Sequence, residues 1–260
     1  MIIRNNAGLK YFQFESLLNE NIFQAVFSRK GGVSPPPWNS LNLGSTVGDD
    51  PENVEVNKIR LLDVIGYSPK QIAQVHQVHS ARVIKADKPQ GNTTNPERGD
   101  AIITNKPGLL MVMRFADCVP IFIYDPVNHA AAIVHAGWKG TIKGVAYEAV
   151  RRMAKQYGSK PKELIAGIGP SIGPDHYQIG EEVISEVMRT YPDQSNQVLI
   201  TDNDGVKLDL WKANEITLSR AGVNKIEIAG ICTACELEDW YSHRGEKGKT
   251  GRFGAVLGLR

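Results

Sequence analysis

Short, nearly unbroken apolar runs alternate along this chain with polar stretches rich in Gly, Pro and Asn. The runs at 22–28, 81–86, 101–105, 109–115, 119–124, 130–135, 164–169, 225–231 and 253–259 are dominated by β-branched and aromatic residues and bounded by turn residues, which predicts strands. Helical spacing is found in fewer places. In DPENVEVNKIRLLDVIG (50–66), Asp50 is the expected N-cap, Pro51 the first helical residue and Gly66 the stop. TIKGVAYEAVRRMAKQYG (141–158) reads as one helix ending at Gly158, and the segments 180–192 and 209–222 complete the set. Strands outnumber helices, and several adjoin through short turns. That favours a mixed or antiparallel α/β sandwich over a strictly alternating doubly wound fold. The polar segment 86–100 lies between two strand-like runs and reads as a long surface loop, so one domain is expected over residues 1–260.

Composition narrows the function classes. Hydrophobic residues make up 42% of the 260 residues and charged residues 22%, ordinary for a globular chain able to fold without disulfides or a structural metal. A formal net charge of +2 argues against a dedicated nucleic-acid binder. No apolar stretch has the length of a membrane span, and the start MIIRNNAGLK lacks a signal-peptide core. Three unevenly spread Cys do not make a secreted disulfide framework, so a cytoplasmic, reducing compartment is expected.

The candidate chemistry lies in ADCVPIFIYDPVNHAAAIVHAGWKG (116–140). If 119–124 and 130–135 form a hairpin through Asp125–Asn128, Tyr124 pairs with His129 and Cys118 faces His135. Opposed Cβ atoms lie about 4.5–5.5 Å apart, close enough for a thiolate and an imidazole to share a metal ion. Pro120 cannot donate to the ladder, so a bulge or an edge is expected there. Taken singly, Cys118 reads as a small buried hydrophobe and His135 as a satisfied core histidine; together beside a Gly-rich turn they point to a site. A third ligand is available from QVHQVHSARV, as His76 or His79, and spacing does not choose between them. Asp117, beside Cys118, is a candidate base or positioning carboxylate if the strand bends there. The C-x-x-C of Cys232 and Cys235 lacks a second pair and is weak evidence for a structural zinc. Cys232 reads as core, and His129, His176 and His243 lie in unrelated contexts.

The motifs FSRKGGVS, SLNLGSTVGDDPENV, QVHSARV, GDAIITN, ADCVPI, HAGWKGT, GIGPSIG and CTACELEDWYSHR…GKTGR follow one another in this order. The set resembles the YfiH-type purine nucleoside phosphorylase family, also known as the laccase domain or multicopper polyphenol oxidase domain family, over nearly the whole chain. The resemblance implies an α+β fold, a mixed β-sandwich flanked by helices. It implies zinc held by His79, Cys118 and His135, and so selects His79 over His76. It also implies phosphorolysis of adenosine, inosine, guanosine and methylthioadenosine to the free base and ribose 1-phosphate or its methylthio analogue. Adenosine deaminase activity is expected beside it, in keeping with known zinc chemistry at C6 of adenine. Three protein ligands leave zinc an open position, the pattern of catalytic sites.

Phosphorolysis needs an anion cradle. Arg29 and Lys30 stand beside two glycines, Lys139 opens the Gly turn and helix start of HAGWKGT, and Arg244 and Arg252 lie in SHRGEKGKTGR. Asn42 in SLNLGS joins them as a substrate- or phosphate-binding candidate. Each basic residue taken alone reads as a solvated surface charge. GWKGT lacks the P-loop spacer, and GIGPSIG has its third glycine at the wrong spacing for a dinucleotide fingerprint. Where the family pattern has two adjacent Arg, this chain has Arg244 followed by Gly245. Trp138, next to the site, is a candidate for stacking on a base. The expected partners are a small-molecule nucleoside and phosphate, with no nucleic acid and no membrane, acting on a monomer or homodimer.

Three other readings compete. Two His and one Cys also suit copper, with Met111 or Met113 as axial ligand, but six His in all are too few for a multi-copper cluster. Cys118 with His135 as base would make a metal-free cysteine hydrolase, and relatives called peptidoglycan editing factors point to amide hydrolysis on cell-wall precursors. The chain as a metal- or partner-binding domain without activity is the third.

Overall fold

A computed structural model of the chain describes every residue except Gly91, Asn92 and Thr94. That part of the loop expected at 86–100 lies outside the described residues. In chain order the strands are β1 (Ile2–Asn6), β2 (Leu9–Gln13), β3 (Ile22–Phe27), β4 (Ile72–Ala73), β5 (Val83–Lys85), β6 (Ala101–Thr104), β7 (Leu110–Phe115), β8 (Val119–Asp125), β9 (Ala130–Ala136), β10 (Ile165–Ile168), β11 (Leu199–Asp202), β12 (Gly205–Leu208), β13 (Lys225–Ile228) and β14 (Phe253–Leu259). The helices are α1 (Pro51–Ile65), α2 (Trp138–Ile142), α3 (Val145–Tyr157), α4 (Glu181–Thr190), α5 (Ser195–Val198) and α6 (Leu210–Arg220).

Two six-stranded sheets form the body, in the orders β1-β2-β3-β14-β7-β4 and β13-β10-β8-β9-β6-β5, and β11 and β12 make a separate hairpin. Both large sheets are mixed: β4 runs parallel to β7, β13 to β10 and β5 to β6, and the other pairings are antiparallel. The fold is therefore the mixed α+β sandwich that the strand-rich pattern and the resemblance both imply.

The side chains explain the layering. Along β8, Val119, Ile121 and Ile123 face one apolar cluster and Phe122 and Tyr124 another. On β9, Ala130, Ala132 and Val134 join the first, and Ala131 and Ile133 the second. The second cluster fills the space between the sheets with Met111, Met113 and Phe115 of β7 and Phe253, Ala255 and Leu257 of β14. The first lies between the outer face of the β8–β9 sheet and the helices, with Val145, Ala149 and Met153 of α3 and Ala213 and Ile216 of α6. A third, between β14, β7 and α1, contains Leu61, Leu62, Leu110 and Val256. Strands buried on both faces carry apolar residues at every position, which is why these runs read as unbroken rather than alternating.

α1 begins and ends as its sequence dictates: the Asp50 carboxylate accepts from the Glu52 N–H at 2.8 Å, and Gly66 closes the helix at φ 72°. The helix expected over 141–158 is two. Gly144 adopts φ 71°, which separates α2 from α3 and lets α2 start earlier, at Trp138. β1 has no apolar alternation because it is an exposed edge strand, and β11 is likewise largely exposed, whereas its partner β12 is half-buried to buried. Among the described residues no helix is long and apolar enough to cross a membrane.

Candidate metal centre

Cys118 and His135 come together at one rim of the sandwich, through a register two residues away from the expected one. Asp125 pairs with Ala130, Phe122 with Ile133 and Pro120 with His135. The turn is Pro126–His129, held by the Asp125 carboxylate, which accepts from the N–H groups of Val127 at 2.9 Å and Asn128 at 3.1 Å. A two-residue slip preserves which face each side chain takes, so Cys118 and His135 still share the inter-sheet side. Cys118 now lies beyond the end of β9, against Gly137. A Cβ on Gly137 would stand 2.8 Å from Cys118 Sγ and 2.9 Å from His79 Cδ2, so only glycine leaves room for both ligands. Pro120 makes neither a bulge nor an edge. Its carbonyl accepts from Gly169 N–H just past the end of β10, where the missing donor interrupts no ladder bond.

The segment before β5 supplies the third side chain. His79 takes φ 58°, a left-handed turn ahead of β5. Asp100, fully buried one residue before β6, fixes that turn. Its carboxylate accepts from the backbone N–H groups of Val78, His79 and Ser80 and from Ser80 Oγ. It also lies 2.9 Å from His135 Nδ1. Holding Nδ1 on a carboxylate turns Nε2 of His135 toward Cys118, the arrangement that orients metal-binding histidines. Asp100 was not among the expected site residues. Its one signal in the sequence is the Gly-Asp pair just before the apolar run of β6.

The donor atoms fit one ion. Sulfur and nitrogen bound to a tetrahedral zinc lie about 3.6 Å apart, and Cys118 Sγ and His79 Nε2 are 3.7 Å apart. All three donor atoms lie within 4.8 Å of one another, and the two imidazole rings are 4.9 Å apart, edge to face. The charges agree with the geometry. Burial opposes ionisation of Asp100, but the hydrogen bonds from His135 and Ser80 outweigh it and hold the carboxyl at about 2. Burial likewise opposes the Cys118 thiolate; the charge and hydrogen bonds of His135 and His79 prevail and bring it down to about 6. His135, despite burial, is raised to about 9 by the Cys118 charge and the Asp100 bond. Both shifts favour a thiolate paired with an imidazolium when no metal is bound.

A cleft of about 300 Å³ opens over the site, at the small end of the range for small-molecule pockets, and His79, Asp117, Cys118, Trp138, Lys139 and Tyr177 line it. Asp117, at φ 80°, sits at a bend, the condition on which its role as base or positioning carboxylate depends, and both its oxygens accept hydrogen bonds. Oδ1 accepts from Thr233 and Ser242 hydroxyls at 2.7 Å each, and Oδ2 from Arg244 N–H at 2.6 Å. The Lys139 ammonium stands 5.3 Å from the Trp138 ring centre. α2 is too short to offer the helix N-terminus expected behind Lys139 as an anion site. Arg244 packs over Tyr177 and donates to the Gln178 carbonyl, Arg252 donates to the Thr250 and Gly251 carbonyls, and neither lines the cleft.

Arg29 and Asn42 are placed otherwise than expected. Arg29 is buried, donates to Asn39, Leu237, Trp240 and Glu246, and stacks 4.3 Å from the Tyr241 ring centre, so its guanidinium ties loops together instead of facing the cleft. Asn42 is fully buried; its amide donates to Asp49 and its oxygen accepts from Gly44 and Arg252. Lys30 pairs with Asp239 at 3.1 Å and does not line the cleft. His176 is not in an unrelated context: its Nδ1 is 3.8 Å from Cys232 Sγ and 3.5 Å from Cys235 Sγ.

The sequence profile of the family described as multi-copper polyphenol oxidoreductase laccase matches residues 23–260. The chain is 33% identical over 250 residues to the purine nucleoside phosphorylase YlmD of Bacillus subtilis, covering 93% of this chain and 90% of that one. It is 34% identical over 232 residues to the purine nucleoside phosphorylase YfiH of Escherichia coli, covering 89% and 91%. Among solved structures, it superposes on the hypothetical protein YfiH of Bacillus licheniformis with a TM-score of 0.92 at 32% identity, covering 99% of each chain. YlmD from Geobacillus stearothermophilus gives a TM-score of 0.92 at 31% identity, covering 100% of this chain and 99% of that one.

Proposed function

The chain belongs to the multi-copper polyphenol oxidoreductase laccase family, and from that membership we propose that it is a zinc-dependent purine nucleoside phosphorylase. Its substrates are adenosine, inosine, guanosine and methylthioadenosine. Inorganic phosphate adds at C1′ as the N-glycosidic bond breaks, giving ribose 1-phosphate (or its methylthio analogue) and the free base. The observation that carries this reading is the convergence of His79, Cys118 and His135 on one side of a cleft walled by Trp138 and Tyr177.

The protein side chains divide the work. His79, Cys118 and His135 hold the metal, and Asp100 keeps His135 with Nε2 free to bind it. A divalent ion there supplies Lewis acidity beside the bound substrate, one thiolate leaving it a net positive charge. Trp138 and Tyr177, with Ile172 and Leu210, offer apolar faces to the base and sugar. Lys139, on the cleft wall, is the cation for phosphate, and Arg244 and Arg252, both held on backbone carbonyls outside the lining, add positive charge from behind it. Asp117 positions the loop that carries Arg244 through three accepted hydrogen bonds, and the lone pair left on its Oδ2 keeps it a candidate base at the cleft wall. Adenosine deamination is a side activity of the same site. The enzyme works in a reducing, cytoplasmic setting, as a monomer or homodimer; copper is the alternative metal.

The thiolate–imidazolium pair of Cys118 and His135 favours one other reading, a cysteine amide hydrolase acting on cell-wall precursors. Product analysis with inosine and phosphate separates the two. The phosphorylase yields hypoxanthine and ribose 1-phosphate, loses activity on chelation and regains it with zinc. A thiol hydrolase yields neither product and keeps its amidase activity in chelator.

A further inference from the structure

Beyond β10 and β13 the two segments pair once more, one residue out of the register of the strands. Ser171 bridges Cys232 in parallel, with Ser171 N–H donating to Ile231 at 3.2 Å and Thr233 N–H donating to Ser171 at 3.0 Å. The first segment then makes the single turn Pro174–His176, and the second makes the turn that carries Cys235. His176, Cys232 and Cys235 meet there, with all three donor atoms within 4.8 Å of one another. The two sulfur–nitrogen separations, 3.8 Å and 3.5 Å, bracket the about 3.6 Å of a tetrahedral zinc. Gly173 N–H also donates to Cys232 Sγ at 3.2 Å, which fixes that sulfur against the loop.

We propose that His176, Cys232 and Cys235 form a second metal site, separate from the cleft, that takes Zn²⁺ as a staple between the two segments, with a water as its fourth ligand. Two thiols give up their protons on binding, and the two thiolates cancel the charge of the ion. The site therefore lacks the net positive charge that the His79, Cys118 and His135 set leaves on its metal. A thioredoxin-type role does not fit the same residues: the C-x-x-C lies on a turn and not at a helix N-terminus, where a dipole would activate the thiol. Exposed His176 and Cys235 give the ion an entry path, while Cys232 is buried. The staple joins two segments that also serve the cleft. Ile172 and Tyr177 on the first line it, and Thr233 on the second donates to Asp117.

The test uses the full chain, reduced, stripped with chelator, reloaded with Zn²⁺ alone and desalted before metal analysis. The expected result is that Cys235→Ser and His176→Ala each bind one zinc per chain fewer than the parent, with phosphorolysis retained. The comparison is one of differences, so it stands whether or not the cleft site holds metal: its own loss is read separately with His135→Ala. Equal zinc content in the parent and both variants overturns the proposal. So does a Cys232–Cys235 disulfide in the reduced protein, detected by mass spectrometry of peptides.

Discussion

Two sets of soft donors sit in this molecule, one under the cleft and one beyond the ends of β10 and β13, and their surroundings differ more than their chemistry. In the cleft set, two imidazoles outnumber one sulfur. His135 is buried and held on Asp100, and an aromatic wall stands over the opening. In the outer set two sulfurs outnumber one imidazole, and His176 has its Nδ1 on the cysteines, with no carboxylate bonded to the ring among the described residues. Both sets offer three protein ligands, so what separates them is charge and support: the cleft set leaves net charge on its ion and is oriented by a buried carboxylate, which suits chemistry, whereas the outer set is neutral and spans two turns, which suits holding them together. Ligand identity alone does not separate the two; what lies behind each ligand does.

The sharpest way to break that contrast is to remove one histidine from each set. His135→Ala is expected to lower phosphorolysis by about 100-fold or more, whereas His176→Ala leaves it within about twofold, as steady-state rates with inosine and phosphate would show. A comparable loss in both variants would erase the distinction. Next comes the carboxylate. Asp100→Asn is expected to weaken zinc affinity at the cleft by about 10–100-fold, read by competition with a chromophoric chelator. It also removes charge-assisted bonds from three backbone N–H groups, so thermal or denaturant unfolding should show a loss of about 1–3 kcal/mol. An unchanged affinity would mean that Asp100 merely supports the turn at His79.

A smaller effect tests the cations. Lys139→Ala is expected to raise KM for phosphate by about tenfold, roughly 1.4 kcal/mol, with kcat little changed. Arg29→Ala, by contrast, should lower the melting temperature through its lost buried bonds and leave the KM of the folded protein alone. The smallest signal is protonic. At pH 7.4 Cys118, at about 6, has already lost its proton, and His135, at about 9, still carries one. Zinc must displace the His135 proton, so calorimetry on the Cys235→Ser variant, which lacks the outer site, in buffers of different ionisation heat should report about one proton released at the cleft. Affinity then rises as pH climbs toward 9, and falls more steeply below 6, where the Cys118 thiol also holds a proton. Proton release near zero at pH 7.4 would show that His135 is neutral before metal arrives.

Much of this was legible in the residues, for reasons that can be traced. The unbroken runs of β8 and β9 announce strands buried on both faces, and the two-residue error in their register was harmless because side chains repeat with period two. The error came from the turn, where the Asp125 side chain closes the loop one residue later than spacing suggests. Spacing did not choose between His76 and His79, because His79 adopts a left-handed φ that no strand periodicity reveals. The break between α2 and α3 at Gly144 was visible only as a glycine inside an otherwise helical pattern. Asp100 was out of reach, since it acts on His135 from a neighbouring strand, 35 positions away in sequence. Arg29 misled for the opposite reason: a basic residue beside glycines looks like an anion cradle until its burial among carbonyls is seen. The join of His176 to Cys232 and Cys235 depends on the parallel pairing of β10 with β13, which no local pattern encodes.

The most direct test is an anomalous difference map, collected at the zinc edge, from crystals of the protein loaded with zinc. One ion is expected within about 2.0–2.3 Å of His79 Nε2, Cys118 Sγ and His135 Nε2 together. A map with no peak among those three atoms, or with the imidazoles turned away from the sulfur, would contradict the assignment of this cleft as a metal centre.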